Sequence, residues 1–357
     1  MELTRFHPAP PALPAACAVL ALLGLCAPLP AAAASCQAVT SLAALGAAVP
    51  AGECRLYTGH EVASTELRVQ GRLVIQTNAS LHLTDGSLLQ LAGAGELINR
   101  GTMSLKNHSQ LLLGGSARLN SQGDFQLLAG SEVLVQDEAL LRSSGTFNAR
   151  GGSRLQVSGS GGVETLGYFD LYASDMVFAG RRLYNHGTLR LRERSQLQAG
   201  GDGELESRGY LEVRDGCRLS LAGRARLIST KNISLMGELE FQGETAFDNR
   251  GIFSALPGSR LSLSGTARLD NTRQVYLGGE FAATDQAHIT SSGTIVMRKG
   301  SHNELSRGAR LVNTGSLRNQ GAFAHSPQQF DNRSSYFDDS AAGATTVERR
   351  RERYLRQ

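Results

Sequence analysis

Apolar residues recur along this chain at fixed distances from positions that restart about every 22 residues. Counted from each restart, they fall at offsets +2, +4, +10, +12 and +18. Alternation at +2/+4 and +10/+12 is typical of strands with one buried face, and the Gly, Asn, Asp and Ser residues between them favour turns. Each repeat therefore predicts three short strands joined by polar corners. The segments that begin at Gly101 and Gly209 place Met103, Leu105, Leu111, Leu113 and Leu119, and Leu211, Val213, Leu219, Leu221 and Leu227, at these offsets.

A coil of this kind cannot bury its apolar face alone, so the copies must stack as a solenoid. The intervals are about 22 residues, shortened to about 20 residues after Gly167, Lys231 and Arg273. The sequence thus predicts an all-β fold, a parallel β-helix of about 13 coils of about 20–22 residues with three short strands per coil. The restarts lie at Tyr57, Ala79, Gly101, Gly123, Gly145, Gly167, Gly187, Gly209, Lys231, Gly251, Arg273, Gly293 and Gly315.

Four segments divide the chain in this interpretation. Residues 1–34 have the pattern of a secretory signal peptide, since Arg5 precedes an apolar run from Ala15 to about Leu29 that is too short to span a bilayer. We expect an N-terminal cap at 35–56, the β-helix at 57–333, and at 334–357 a basic tail that is disordered or a short helix. The protein is then exported and is secreted, periplasmic or on the cell surface, with no transmembrane segment.

Three cysteines remain once the signal segment is removed. In an oxidising compartment we expect Cys36 and Cys54 to form a disulfide that fixes the cap. A competing interpretation makes Cys36 a site of lipidation. Cys217 lies at a corner of its coil, where a small buried residue and a reactive thiol are the two alternatives.

Asparagine recurs two residues before the restart. At this position its amide can hydrogen-bond to the same position of the next coil, and Asn tolerates left-handed backbone. We interpret the column as a structural ladder, with ligand binding as the alternative. It contains Asn99, Asn185, Asn249, Asn271 and Asn313.

One outward-facing surface combines aromatic and charged residues on the first strands of three consecutive coils. Since stacked residues are about 4.8 Å apart, Asp170, Arg190 and Glu212 should form one column with its two carboxylates about 10 Å apart. We take this surface as the candidate ligand-binding site. It comprises Tyr168, Asp170, Tyr172, Arg190, Arg192, Tyr210, Glu212 and Arg214.

Three interpretations of this surface stay open. In the first it is a polysaccharide-cleaving site in which Asp170 and Glu212 are acid and base, near the carboxylate spacing of inverting glycosidases. In the second, tyrosines stack on sugar rings and arginines bind acidic groups without catalysis. In the third, the alternating charges only keep like charges apart in a parallel stack.

Offset +11 on the second strand should also face solvent. It places Leu112, Leu134 and Phe178 on one side, which predicts either a contact with another protein or scattered surface apolar residues. Catalytic and metal-binding spacing motifs are not found in the sequence, so we expect no metal and no cofactor. The formal net charge is +4. Nucleic acid is not an expected partner.

The phrases INRGTMSL at 98, YNHGTLRL at 184, DNRGIFSAL at 248 and VNTGSLRN at 312 resemble the Asn-x-Gly-Thr-Leu repeats of large bacterial surface proteins. In this respect the chain is similar to filamentous-haemagglutinin-type adhesins and autotransporter passenger domains. The resemblance implies a pectin-lyase-like right-handed parallel β-helix and an exported, adhesin-like role.

We therefore expect a non-enzymatic scaffold that contacts glycan, matrix or a protein partner. The alternative is a polysaccharide-active lyase or glycoside hydrolase that uses the middle coils.

Overall fold

A computed structural model of the chain describes residues 36–340, which form a parallel right-handed β-solenoid of about 14 turns. Every strand pairs in parallel with a strand of the neighbouring coil, and three sheets result. We call them the first, second and third sheet, in the order in which the chain visits them within a coil. The one helix of the described residues is Leu42–Leu45.

The first sheet has 14 strands, which follow the restart of each coil. They are His60–Ala63, Ser80–Leu83, Thr102–Leu105, Asp124–Leu128, Thr146–Arg150, Tyr168–Tyr172, Thr188–Arg192, Tyr210–Val213, Asn232–Leu235, Ile252–Ala255, Gln274–Leu277, Thr294–Met297, Ser316–Asn319 and Ser335–Asp338.

The second sheet also has 14 strands. They are Ala48–Val49, Glu66–Val69, Leu88–Leu91, Gln110–Leu113, Glu132–Val135, Arg154–Val157, Asp175–Phe178, Gln196–Ala199, Arg218–Leu221, Glu238–Phe241, Arg260–Leu263, Glu280–Ala283, His302–Leu305 and Ala322–Ala324.

The third sheet has 15 strands and completes each coil. They are Gln37–Val39, Cys54–Tyr57, Arg72–Ile75, Glu96–Asn99, Arg118–Ser121, Leu140–Ser143, Gly162–Thr165, Arg182–Asn185, Glu204–Ser207, Arg226–Ser229, Ala246–Asn249, Arg268–Asn271, His288–Ser291, Arg310–Asn313 and Phe330–Asn332.

The predicted fold class is confirmed, and so is its inside-outside pattern. Leu219 and Leu221 are fully buried, and the outward Arg218 of the same strand is exposed. The core is one continuous apolar column in which equivalent side chains stack from coil to coil. The Phe147 and Phe169 rings, one coil apart, stack with centroids 4.3 Å apart. Burial of this column is what holds the coils together.

Strand pairing extends beyond 57–333 at both ends, from Gln37 to Asp338. At the first end, the helix Leu42–Leu45 places Leu45 over the core, and the Ser41 hydroxyl caps it by accepting from the Ala44 N–H at 3.1 Å. The expected Cys36–Cys54 disulfide joins the first two strands of the third sheet. The signal segment and the tail beyond residue 340 lie outside the described residues.

The opposite end is covered by aromatic side chains rather than by a helix. The Phe330 ring contacts those of Phe323 and Tyr336, with centroids 5.4 and 5.2 Å away. These rings pack partly buried against the last residues of the core. Both ends of the apolar column are therefore shielded among the described residues.

The asparagine column acts as the predicted structural ladder. The buried Asn249 amide donates to Asn271 Oδ1 at 2.9 Å and to the Gln274 carbonyl at 3.0 Å, both in the next coil. Asn99 makes the equivalent bonds to Ser121 and to the Asp124 carbonyl. These bonds satisfy groups that a buried corner would otherwise leave unpaired.

The prediction that Phe178 faces solvent is wrong, because this side chain is fully buried. Three residues separate the inward Leu171 from the next strand, whereas four separate Ala149 from Arg154 in the coil before. The strand thus starts one residue early, which turns Phe178 inward and Val177 outward. A continuous apolar stripe from Leu112 to Phe178 does not exist.

Candidate functional site

The register brings the predicted site residues together on the outer face of the first sheet. Asp170 pairs with Arg190, and Arg190 pairs with Glu212, so the predicted column exists. Tyr168 and Tyr210 lie on either side of Thr188 in the neighbouring column. Their exposed fractions are 54% and 58%, which leaves both rings open to a ligand.

Charges within the column are shared unequally. Glu212 binds two guanidinium groups, with Arg190 Nε at 3.3 Å and Arg214 Nε at 3.0 Å from its two carboxylate oxygens. The Arg190 guanidinium also lies 5.5 Å from the centroid of the Tyr168 ring. Asp170 forms no ion pair with Arg190, and its Oδ1 is buried without a hydrogen-bond partner. A simple alternating ladder therefore does not describe the whole column.

Tyr172 marks the corner between the first and second sheets. Its hydroxyl donates to Glu193, and this hydrogen bond is the main reason that the pKa of Tyr172 is raised. The Arg150 guanidinium lies 5.6 Å from the ring centroid. Arg192, in the next coil, has a buried Nε without a hydrogen-bond partner. Arg192 Nε and Asp170 Oδ1 are thus buried without a hydrogen-bond partner, whereas Arg190 Nε lies 3.3 Å from a Glu212 oxygen.

The corner between the third and first sheets extends this surface in a direction that the sequence interpretation missed. Tyr184, on the third sheet, has the Arg182 and Arg208 guanidinium groups 4.3 and 5.4 Å from its ring centroid. The His186 ring stacks on it at 5.2 Å. Leu166, at the same corner one coil earlier, is 38% exposed. Tyr184 lies at an outward position of the third strand of its coil, so the alternation of that strand is the signal that predicts it.

Glu206 is a nearly buried carboxylate within this extension, with an exposed fraction of 6%. Burial alone would raise its pKa, but hydrogen bonds from Arg208 and Tyr184, together with the positive charge of Arg182, outweigh burial and lower it. Glu206 therefore stays ionised and holds the two arginines against the Tyr184 ring. It orients the surface and is not itself accessible to a ligand.

The arrangement of these side chains is better suited to binding a ligand than to catalysing a reaction. Asp170 and Glu212 are two coils apart, about 10 Å, and both Glu212 oxygens are already engaged by arginines. Within residues 36–340, no group of three or more His, Cys, Asp or Glu side chains is placed to hold a metal ion. In the same range, no helix has the length and apolar character needed to cross a membrane.

Cys217 is 1% exposed and packs in the core, and desolvation by burial raises its pKa. Of the two alternatives for this residue, the small buried side chain fits the structure.

No protein-family model, no curated protein and no solved structure matches this chain. The class that can be stated is that of the fold: an all-β protein built as a parallel right-handed β-solenoid. The middle coils of this solenoid carry a tyrosine- and arginine-rich surface.

Proposed function

We propose that this protein is an exported, non-enzymatic scaffold of the filamentous-haemagglutinin type whose middle coils bind a glycan. The observation that carries the proposal is the pair of exposed tyrosines. Tyr168 and Tyr210 stand in one column two coils apart, or about 9.6 Å. Of the six large apolar side chains exposed among the described residues, three lie in these coils or at the corner beside them: Leu166, Tyr168 and Tyr210.

The polar side chains of this surface favour a ligand that both donates and accepts hydrogen bonds. Asp170 offers a carboxylate that accepts hydrogen bonds, while Arg190 and Arg192 offer guanidinium groups that donate them. Sugar hydroxyls supply both functions, and a tyrosine ring packs against the apolar face of a sugar. A carboxylate or sulfate on the glycan would be attracted by the surrounding arginines.

Export is supported by the disulfide and by the pattern of residues 1–34. Disulfides persist in oxidising compartments, and Cys36 and Cys54 are joined in the first coil. The Asn-x-Gly-Thr-Leu phrases favour a surface or secreted adhesin. We propose a secreted, periplasmic or cell-surface location on these grounds.

Binding without turnover is the expected result of a polysaccharide panel. The purified protein is incubated with acidic and neutral polysaccharides, and retention is followed together with new reducing ends and unsaturated products. The double variant Tyr168→Ala/Tyr210→Ala should weaken binding about tenfold or more, since loss of about 1.4 kcal/mol has that effect. Tyr276→Ala, an outward tyrosine of the same sheet outside this surface, is the matched control.

Two outcomes would overturn the proposal. If products form and Asp170→Asn abolishes them, the protein is a polysaccharide-active enzyme. If no member of the panel binds, the middle coils are a charge-stabilised scaffold surface instead.

A further inference from the structure

The corner between the first and second sheets changes its length along the chain. We count it from the last inward residue of a first-sheet strand to the next second-sheet strand. In the coils between Ser80 and Arg218 this corner has four residues, except in the coil of Phe178, where it has three. From Asn232 onward, corners of two residues alternate with corners of four. The two-residue corners are 236–237, 278–279 and 320–321.

Each short corner lies directly on the corner below it, which only glycine permits. A Cβ on Gly237 would be 2.2 Å from the Cys217 carbonyl oxygen, and one on Gly279 would be 2.2 Å from that of Ser259. At Gly321 it would be 2.3 Å from the Ser301 hydroxyl. The corners 236–237 and 278–279 lie between four-residue corners, and 320–321 follows the four-residue corner 298–301. We infer that each short corner is the floor of a notch beside these longer corners.

Cavities are found at the first and third of these positions. The notch at 236–237 has a volume of about 470 Å³ between Asp215, Arg218, Glu238 and Arg260. The notch at 320–321 has a volume of about 640 Å³ beside Lys299, His302 and Asp339. Both are clefts that open to solvent. The residues that line them include no Phe, Tyr or Trp.

The notches repeat every second coil, so their spacing is about 9.6 Å. This is close to the length of one disaccharide in an extended β-linked glycan, whose alternate sugars face the same way. We propose that this edge, from residue 215 to residue 340, binds a linear neutral polysaccharide along the solenoid axis, with one disaccharide at each notch. The site is separate from the tyrosine surface of the first sheet and does not depend on it.

The side chains of the first notch fit hydroxyl groups better than a charged polymer. It combines Asp215, Glu238 and Glu280 with Arg218 and Arg260, so acidic and basic groups nearly balance. Bidentate guanidinium and carboxylate groups at this spacing can each take a pair of sugar hydroxyls. A polyanion would be repelled by the three carboxylates of this notch.

A peptide is a poorer fit, although a polyproline II helix repeats every three residues, or about 9.3 Å. Such peptides are held in aromatic-lined grooves, which these notches lack. Strand addition is also unsuited to this edge, because corner N–H groups are already bonded. The N–H groups of Cys217, Ser259 and Ser301, for example, donate to the carbonyls of Arg214, Leu256 and Arg298.

The first test measures the dependence of affinity on glycan length. Neutral β-1,4-linked gluco-oligosaccharides of two, four, six and eight sugars are titrated into the purified protein by calorimetry. Affinity should rise with each added disaccharide up to six sugars and then level off, since there are three notches. Affinity independent of length, or binding only of a proline-rich control peptide, would overturn the proposal.

The second test fills the notches without disturbing the core. Two residues are inserted into corners 236–237 and 278–279, which gives them the four-residue length of their neighbours. Binding of the six-sugar probe should fall at least tenfold, with an unchanged circular dichroism spectrum. The matched control inserts two residues into the opposite corner of the same coil, at 242–245, and should bind normally. Full binding by the notch-filled protein would refute the site.

A double substitution tests the same site if the proteins that carry the insertions do not fold. Arg260→Gln/Glu280→Gln removes both charges, keeps polar side chains and should lower the affinity for the six-sugar probe about tenfold. Tyr168→Ala/Tyr210→Ala should leave that affinity unchanged, which separates this site from the proposed function. If the tyrosine pair abolishes binding and the Arg260/Glu280 pair does not, the notches are not the site.

Discussion

The coils between Ser80 and Val213 and those between Asn232 and Asp338 share one interior but differ along one edge. In the earlier coils the corner keeps a buried serine column, in which the hydroxyls of Ser109, Ser153 and Ser195 each donate to a carbonyl three residues back at 2.6 Å. In the later coils this column is interrupted at every short corner. The buried interior therefore determines how the coils stack, while the corners vary in length without disturbing that stacking.

The largest expected effect tests the shared interior. Leu221→Asp places a charge in a column that is fully buried, and we expect a loss of about 3–5 kcal/mol or outright unfolding. The adjacent Ser220→Asp, which faces outward on the same strand, should change stability little. Thermal unfolding followed by circular dichroism compares the two. Equal melting temperatures would show that the register is wrong.

The next effect tests what the short corners require. Gly237→Ala would force a Cβ to 2.2 Å from a backbone oxygen, so we expect a loss of about 3 kcal/mol. Gly200, in the regular coils, has no atom within 4 Å of an added Cβ, and Gly200→Ala should stay within about 1 kcal/mol. Urea unfolding of both variants measures the difference. A tolerated Gly237→Ala would mean that the short corner is not closely stacked.

Cys217 lies at the boundary between the two regions, in the place that serine occupies in the preceding coils. Cys217→Ser should therefore cost no more than about 1 kcal/mol, because the hydroxyl can continue the serine column. The native thiol should resist a disulfide reagent until urea unfolds the protein, since burial raises its pKa and leaves it 1% exposed. Rapid labelling of the folded protein would contradict this placement.

The smallest effect concerns the outer face of the middle coils. The lowered pKa of Glu206 in the folded state means that its contribution to stability is complete above the ordinary value of about 4.3 and is lost as pH falls through the folded-state value. Glu206→Gln should thus be less stable than the parent at pH 7, with a difference that shrinks below about pH 4. Urea midpoints across this range measure it, with the exposed Glu244→Gln as the control. A difference independent of pH would argue against the ion-pair network.

The sequence predicts the interior of this protein well because its strands alternate between two environments. Leu219, Leu221 and the asparagine column follow directly from that alternation. Phe178 does not, since two single-residue shortenings in successive corners together make up the one short interval between Gly167 and Gly187. The interval between two restarts gives the total number of residues lost from the corners of a coil, but it does not say which corners lost them.

The candidate site is predictable to the level of columns and no further. Register alone places Asp170, Arg190 and Glu212 in line. Which carboxylate Arg190 binds depends on side-chain rotamers, and it binds Glu212. The notches cannot be predicted from the number of residues in each corner alone. A shortened corner becomes a cavity only when the neighbouring corners project past it.

The direction of the backbone hydrogen bonds has a mechanical consequence. In all three sheets they join one coil to the next and therefore run along the stack. A force applied between the two ends would load the three ladders of the outermost coil first and detach that coil as a unit. Each such event would release about 22 residues, or about 75 Å of extended chain, and expose a new outermost coil held in the same way. Tethered between two surfaces, the protein would lengthen in even steps and would not fail at a single point.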